Sequence, residues 1–336
     1  MSAPLWFSHP SSLDHDTGAG HPERVERIVA VEDEVARRGG LGWERRTAPA
    51  ATPAQLAAVH TERYLDVVRG MSEAGGGALD PETPVSAGSW GAALHAAGGA
   101  CAMAEALLGR VADVAFSAAR PPGHHANRDT TSGFCLINTV AVAARHALDA
   151  LGAERVMVID WDVHHGNGTN DIFRTDPTVL YTSIHQSGVF PGTGPLLDVG
   201  SGPGTGFSIN LPVPGGSGAE TWLSLLEWII VPAGAEYAPD LILISAGYDA
   251  HRDDPLGGCL LDTADFGEMA RHVRALGERV GAPVGAVLEG GYSLTALAAS
   301  VAETMEALAG DRPPDSISPD FTTSRAASHI GHYWSL

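Results

Sequence analysis

Short runs of β-branched and other apolar residues alternate along this chain with longer, Ala-rich amphipathic segments. The short runs have the length of strands and the longer segments the length of helices, so the alternation predicts repeated β-α units. Such units build a mainly parallel sheet covered by helices, which is an α/β fold. The predicted strands cover residues 113–117, 156–160, 179–184, 207–211, 241–245 and 284–288. The predicted helices lie near residues 22–38, 89–109, 138–151, 219–236, 264–280 and 294–309.

The 336 residues could form one or two domains, and the unbroken alternation favours a single domain over residues 1–310. Gly- and Pro-rich stretches at 70–88 and 186–206 are predicted to be long loops that shape a binding site. Residues 311–336 are rich in Pro and Ser and show no helical or strand period. We expect them to form an irregular tail packed on the same domain.

The charge balance is strongly acidic, with 20 Lys and Arg residues against 40 Asp and Glu residues and a formal net charge of -20. No basic run or aromatic-spaced basic stripe is present, so we expect no nucleic-acid partner. An acidic surface is typical of a soluble protein and also attracts cationic partners such as basic peptide tails and polyamines.

Neither the cysteines nor the N-terminus indicates an extracellular or membrane protein. Cys101, Cys135 and Cys259 lie far apart without a C-x-x-C pair, so any metal must be held by Asp and His. The N-terminus lacks a basic region followed by an apolar one, and no apolar stretch reaches the length of a membrane span. We therefore predict a cytoplasmic protein with no membrane partner.

Five predicted strands end in polar or Gly-bearing clusters, which lie at 120–125, 160–168, 183–186, 245–249 and 288–292. In parallel sheets, ligand sites lie at the carboxyl ends of the strands. Each Gly-rich turn taken alone is more often a simple chain reversal. Their coincidence predicts that the clusters meet at one edge of the sheet.

The cluster after strand 156–160 carries residue types that bind metals. Alternation along an extended chain would send Asp160, Asp162 and His164 to one side. A solvated loop is an equally good interpretation of this segment alone. Asp249, which follows the small residues Ser245-Ala246-Gly247, is the natural third ligand of an open Asp-His-Asp site for Zn²⁺ or a similar metal.

Three further side chains suit proton transfer and oxyanion stabilisation. His124 and His125 follow Pro-Pro-Gly, and Asp160 and Asn167 are candidate partners that would set their proton affinities differently. Tyr292, presented by Gly290-Gly291, could donate its hydroxyl to a developing oxyanion. Surface histidines and a core or rim tyrosine are the alternatives.

These residues resemble the zinc-dependent histone deacetylase family, in particular its class II-like bacterial members, which include acetylpolyamine amidohydrolases and deacetylase-like amidohydrolases. The resemblance covers roughly residues 14–310. Its motifs are His21 to Arg27, Arg120 to His125, Gly133 to Cys135, Trp161 to Gly168, Phe190 to Gly194, Asp254 to Cys259 and Leu288 to Tyr292. The resemblance implies a single-domain, three-layer arginase/deacetylase fold with about eight strands, and a deacetylase catalytic domain at residues 1–310.

The resemblance also implies roles for individual residues. Zn²⁺ would be bound by Asp162, His164 and Asp249, with His124, His125 and Tyr292 around the scissile amide and His125 as the base. The residues expected to contact the substrate are Gly133, Phe134 and Phe190 as tunnel walls, Leu256 at the rim, and Glu82 on the substrate backbone.

A structural potassium ion is implied beside the zinc site. Its ligands would be Asp160, the Ser183 hydroxyl and the backbone carbonyls of Asp162, His164 and Ile184. Arg27 matches an arginine that lines the internal acetate-exit region, although a structural salt bridge would look the same.

The resemblance implies hydrolysis of Nε-acetyl-lysine or other acyl-lysine side chains in proteins or peptides, with deacetylation of acetylated polyamines as the nearest alternative. Leu256 favours acyl-lysine, whereas Asp80 or Glu82 could serve a polyamine. A two-manganese ureohydrolase and a non-catalytic acyl-lysine binder are further alternatives, and both fit the complete set of deacetylase residues poorly. Asn167 and the stretch from Asp254 to Cys259 indicate the class II-like branch. The acyl preference, Zn²⁺ against Fe²⁺, and monomer against homo-oligomer stay open.

Overall fold

A computed structural model describes residues 2–336 and contains a central sheet of eight parallel strands. The strands are β1 Leu5–Ser8, β2 Glu44–Thr47, β5 Val114–Ser117, β6 Val156–Asp160, β7 Val179–Gln186, β8 Ser208–Val213, β9 Leu241–Ala246 and β10 Val284–Leu288. A separate antiparallel hairpin joins β3 Gly76–Asp80 to β4 Thr83–Ser86. The sheet order is β2-β1-β5-β10-β9-β6-β7-β8, and the predicted α/β fold class is confirmed.

Helices cover both faces of the sheet and complete three layers. They are α1 Glu26–Arg37, α2 Pro53–Ala57, α3 Glu62–Glu73, α4 Ser89–Leu108, α5 Thr139–Ala150, α6 Asn167–Phe173, α7 Ala219–Leu225, α8 Val231–Tyr237, α9 Thr263–Val280, α10 Leu294–Ala309 and α11 Phe321–Ile330. A π-helical turn, Leu226–Ile230, joins α7 to α8. In β6, Val156 and Val158 enter one apolar core while Met157 and Ile159 enter the other. The strand is apolar throughout because side chains on both of its faces are buried.

All six predicted strands exist within a few residues of their predicted bounds, but β1 and β2 at one edge of the sheet were not predicted. The sequence Glu-Arg-Arg-Thr of β2 is exposed at every position, so it carries no apolar alternation that would indicate a strand. The predicted loop at 70–88 is wrong in part, because it holds the end of α3 and the β3–β4 hairpin.

The irregular tail predicted for residues 311–336 is also wrong in part, because α11 occupies Phe321–Ile330. The Asp320 carboxylate accepts a hydrogen bond from Thr323 N at 2.7 Å and caps this helix. Ser224 and Thr323 hydroxyls lie 2.5 Å apart, and the buried Trp334 indole donates to Gly206 O at 2.8 Å. The tail therefore packs against α7 and the loop before β8.

Helix α4 corrects the prediction that no apolar stretch reaches membrane-spanning length. Its 20 residues are long and apolar enough to cross a membrane by length and composition, but 61% of its 18-residue apolar window is buried inside the structure. The core helices of soluble proteins pass the same test. Ala97 and Ala100 of α4 are fully buried in the apolar core next to the sheet. The cytoplasmic location stays a prediction.

The five strands whose ends carry the polar clusters are β5, β10, β9, β6 and β7, and they are five consecutive neighbours in the sheet. Because they are parallel, their carboxyl ends share one edge. This topology brings residues from position 120 to position 292 of the chain to a single site.

Candidate active site

Asp162, His164 and Asp249 form a buried cluster whose ligand atoms all lie within 4.8 Å of one another. His164 Nδ1 lies 3.1 Å from Asp162 Oδ1 and 3.0 Å from Asp249 Oδ2. The cluster does not arise by strand alternation, since β6 ends at Asp160. Instead, Asp160 Oδ1 accepts from Asp162 N at 3.1 Å and Asp162 Oδ1 accepts from His164 N at 2.9 Å. These successive turns direct the side chains inward.

The donor set of this cluster suits zinc. Two carboxylates and one imidazole are common ligands of catalytic zinc sites, which keep a further position open for water or substrate. Neighbouring loops hold the carboxylates in place, since Val163 N donates to Asp249 Oδ1 and Gly290 N donates to Asp162 Oδ2, both at 2.8 Å. A Cβ on Gly290 would lie 2.3 Å from Asp249 Oδ2, so only glycine permits this approach.

Beside the cluster, the rings of His124 and His125 lie next to each other, tilted by 44° with 3.9 Å between their centroids, and each has a different partner. His124 Nδ1 lies 3.0 Å from Asp160 Oδ2, and His125 Nδ1 lies 2.8 Å from Asn167 Oδ1. In both pairs the oxygen accepts from Nδ1–H, which leaves Nε2 to face the site.

The two imidazoles differ in proton affinity. Burial disfavours the charged form of His124, but Asp160 and Asp162 outweigh it and raise the pKa of His124 to about 10. For His125, burial and then the positive charges of His124 and His164 lower the pKa well below its usual value. Of these two imidazoles, His124 is therefore charged and His125 neutral near neutral pH.

Tyr292 lies at the same site with its side chain buried. Burial raises the pKa of Tyr292 well above its usual value, so the phenol remains a hydrogen-bond donor. The Arg27 guanidinium lies 5.0 Å from the Tyr292 ring centroid and donates to Gly291 O and Glu289 O at 2.6 and 2.5 Å. Arg27 thus supports the turn that carries Tyr292.

Aromatic rings surround the approach to the histidines and the tyrosine. Phe190 meets His125 edge to face at 5.0 Å between centroids, and Phe134 meets Tyr292 at 5.8 Å in the same arrangement. Gly133 has a φ of +54°, and a Cβ there would lie 2.3 Å from His125 Cδ2 and 2.9 Å from Phe190 Cε1. Glycine is therefore required where the wall touches the histidine.

The two predicted rim residues lie on separate loops. Leu256 is 38% exposed, and its loop packs against Asp249, as a Cβ on Gly257 would meet Asp249 O. Glu82 is exposed in the turn between β3 and β4. His21 connects that turn to Phe134, because His21 Nε2 lies 3.2 Å from Glu82 O and the His21 ring contacts the Phe134 ring. The loops that carry Leu256 and Glu82 are thus joined to Asp249 and to Phe134, respectively.

Two buried carboxylates at this site had no role in the sequence analysis. Glu289 accepts from Gly123 N at 2.7 Å and His124 N at 3.1 Å, and burial raises its pKa to about 7. Glu23 pairs with Arg120 through both oxygens and with Arg27 at 2.9 Å. Both lie inside the predicted motifs, and an acidic residue between apolar and Gly residues is the signal that could have found Glu289.

The predicted potassium ligands come from two adjacent strands, β6 and β7, and from the loop that follows β6. In the parallel register, Asp160 of β6 is paired with Ser183 of β7, and Ile184 follows Ser183 in the same strand. Asp160 and Ser183 are completely buried.

A comparison with protein families matches residues 21–308 to the histone deacetylase domain. A probable deacetylase of Archaeoglobus fulgidus is 39% identical over 85% of this chain and 80% of its own length. A histone deacetylase-like amidohydrolase of Pseudomonas aeruginosa is 38% identical over 86% of this chain and 75% of its own. The crystal structure of the HD domain of HDA15 superimposes with a TM-score of 0.92 at 32% identity, covering 99% of this chain and 95% of that one.

The match spans most of the chain in both sequence and structure, and it includes all five strand-end clusters. It favours a deacetylase-type hydrolase over the ureohydrolase and binding-only alternatives. The chain belongs to the histone deacetylase family.

Proposed function

We propose that this protein removes acetyl or other acyl groups from the Nε amide of lysine side chains in proteins or peptides and releases acetate. The observation that carries this proposal is the convergence of Asp162, His164 and Asp249 with the two histidines and Tyr292 behind aromatic walls. Metal ligands, a base and a hydroxyl donor around one point are the groups that amide hydrolysis needs.

Zinc, held by Asp162, His164 and Asp249, would polarise the acyl carbonyl and lower the pKa of water. His125, whose pKa is lowered, is neutral and takes a proton from the attacking water while the water oxygen bonds to the carbonyl carbon. The Tyr292 hydroxyl donates a hydrogen bond to the negative charge that develops on the carbonyl oxygen. The C–N bond then breaks, a protonated imidazole of His125 or His124 gives a proton to the amine, and lysine and acetate leave.

The walls favour a substrate with an apolar stem. Phe134 and Phe190 present ring faces and edges next to Tyr292 and His125, and a lysine side chain offers four methylenes to such walls. Leu256, half exposed at the rim, adds apolar surface and no charge. The second, charged amine of a polyamine would form no ion pair with this residue.

Acetylated polyamines are the second candidate substrates because Glu82 presents an exposed carboxylate on the hairpin turn beside Phe134. Asp80 is less suited, since its oxygens already accept from Glu82 N and the Thr83 hydroxyl at 2.8 and 2.9 Å. In the acyl-lysine proposal, Glu82 instead accepts from the backbone of the bound peptide.

The test is a comparison of kcat/KM for acetyl-lysine peptides and acetylated polyamines with the zinc-loaded protein. We expect the peptides to be preferred, and Leu256→Glu to move the preference toward polyamines by adding a cation-binding carboxylate. Leu260→Glu, a change of the same charge at another exposed leucine (48% exposed), is the control. Wild-type preference for polyamines would overturn the acyl-lysine proposal.

We further propose a potassium ion held by Asp160, the Ser183 hydroxyl and the carbonyls of Asp162, His164 and Ile184. The support is the register that pairs Asp160 with Ser183, together with an all-oxygen donor set that suits hard cations. Thermal unfolding in potassium against sodium chloride at equal ionic strength tests it, and equal midpoints over a full titration would count against the ion.

The catalytic domain is proposed to comprise residues 1–310, with 311–336 as a stabilising tail. Its support is the burial of Trp334 against Phe207 and Tyr237, at ring-centroid distances of 5.5 and 6.0 Å. Trp334→Ala should lower the thermal midpoint while kcat at low temperature changes little, because the tail contacts do not involve the site.

A further inference from the structure

Asp254 is a buried carboxylate, 7% exposed, that lies between two loops of the site. It follows the third metal-ligand candidate by five residues, and it precedes Leu256 in the rim loop. None of the chemical steps above uses it. Its contacts nevertheless reach both the substrate rim and the turn that carries Tyr292.

One oxygen of this carboxylate accepts from its own rim loop and the other from the Tyr292 turn. Oδ1 accepts from Leu256 N at 2.9 Å and Gly257 N at 3.3 Å. Oδ2 accepts from Tyr292 N at 2.6 Å and Ser293 N at 3.3 Å. Bonds from backbone N–H groups to an ionised carboxylate are shorter and stronger than neutral ones, so four amides are tied to one rigid group.

The Tyr292 turn has other anchors, but they lie before the tyrosine. Arg27 binds Glu289 O and Gly291 O, Gly290 N donates to Asp162, and Tyr248 N donates to Gly290 O at 3.0 Å. The amides of Tyr292 and of the following Ser293 donate to Asp254. Asp254 is therefore the acceptor that holds the turn at the tyrosine itself and at the residue after it.

On the other side, the rim loop is held at Gly258, whose carbonyl accepts from Gly216 N at 2.7 Å. Gln186 Oε1 accepts from Gly258 N at 2.7 Å, while Leu256 N and Gly257 N depend on Asp254. Asp254 thus contacts both the start of the rim loop and the turn that carries the hydroxyl donor.

We propose that Asp254 is a positioning residue that couples the Leu256 rim loop to Tyr292 and holds the phenol where charge develops on the substrate. The inference rests on the proposed deacetylase function. A displacement of about 1 Å at a catalytic group can cost on the order of 100-fold in rate, so loss of this anchor should act mainly on kcat.

The test uses Asp254→Asn, which keeps the shape but sets an NH₂ group against backbone N–H donors. Asp254→Glu is the second variant, which keeps the charge but adds a methylene between the loops. We expect each to lower kcat about 10-fold or more on an acetyl-lysine peptide, with a smaller change in KM. The matched control is Asp253→Asn, since the Asp253 side chain is 70% exposed and loses the same charge; its kcat should equal that of the wild type.

A double-mutant cycle with Tyr292→Phe separates positioning from general damage. If Asp254 acts through the phenol, Asp254→Asn should lower kcat by less than about 3-fold in the Tyr292→Phe background, because the positioned group is already absent. Zinc content and the thermal midpoint of each variant are measured alongside, and rates are taken well below every midpoint.

An equal penalty in both backgrounds, or wild-type kcat in Asp254→Asn or Asp254→Glu, would overturn the inference. If Asp254→Asn does not fold, the same cycle with Asp254→Glu decides it. A wild-type protein without deacetylase activity would be a failure of the proposed function instead, and the inactivity of Asp253→Asn in the same assay would identify that case.

Discussion

His124 and His125 are neighbours in the chain, both are buried, and their rings lie in contact, yet their partners differ by one charge. His124 lies against the Asp160 carboxylate and His125 against the Asn167 amide. The pKa of the first is raised to about 10 and that of the second is lowered well below its usual value. Burial alone would lower both, so the partner's charge decides which histidine holds a proton.

The largest effect should follow from removing the neutral member of the pair. His125→Ala takes away the proposed general base, and general-base catalysis contributes about 10²–10⁴-fold. We expect kcat/KM to fall by roughly 1000-fold, measured as acetate release at pH 8.

Removing the charged member should cost less. His124→Ala removes a positive charge and a proton donor but leaves the base, so a loss of roughly 10–100-fold is expected. If His124→Ala were the more damaging of the two, the assignment of the base to His125 would be wrong.

Replacing Asp160 with asparagine would give both histidines an amide partner. In Asp160→Asn the negative charge that raises the pKa of His124 is lost, so this pKa falls. The basic limb of the kcat/KM profile should therefore move to lower pH by about 1–3 units. A profile of kcat/KM from pH 6 to 11 at saturating potassium checks this prediction. An unchanged basic limb would show that titration of His124 does not determine that limb.

The smallest effect is expected when His125 is given a carboxylate partner like that of His124. Asn167→Asp places a carboxylate against His125, which favours the charged imidazolium and raises the pKa of His125. The acidic limb of kcat/KM should then move to higher pH by about 1–2 units, while the rate above that limb stays within roughly 10-fold of the wild type. Tyr181→Phe, which removes a 3.1 Å bond to Asp160 and adds no charge, is a control that should leave the acidic limb in place.

The interior of the fold was predictable because its strands are apolar on both faces. β6 and β10 were predicted with their observed bounds, Val156–Asp160 and Val284–Leu288. The exposed edge strand β2 and the capped helix α11 were not, because pairing partners and tertiary contacts, rather than local pattern, determine them. The π-helical turn between α7 and α8 likewise has no periodic signal.

At the site, the sequence singled out the candidate metal ligands, the two histidines and Tyr292 because polar residues at strand ends interrupt apolar runs, and the structure brings these side chains together. The sequence also suggested the partners Asp160 and Asn167. It could not reveal that Asp254 accepts from two loops or that Glu289 binds the Gly123 and His124 amides. These contacts join segments far apart in the chain, and only the sheet order brings them together.

The most direct test of the proposed deacetylase activity is to measure acetate and free lysine amine from one acetyl-lysine peptide with zinc-loaded wild-type protein and His125→Ala. We expect equal amounts of the two products from the wild type and a rate roughly 1000-fold lower from the variant. No acetate from the wild type, or equal rates from both proteins, would contradict it.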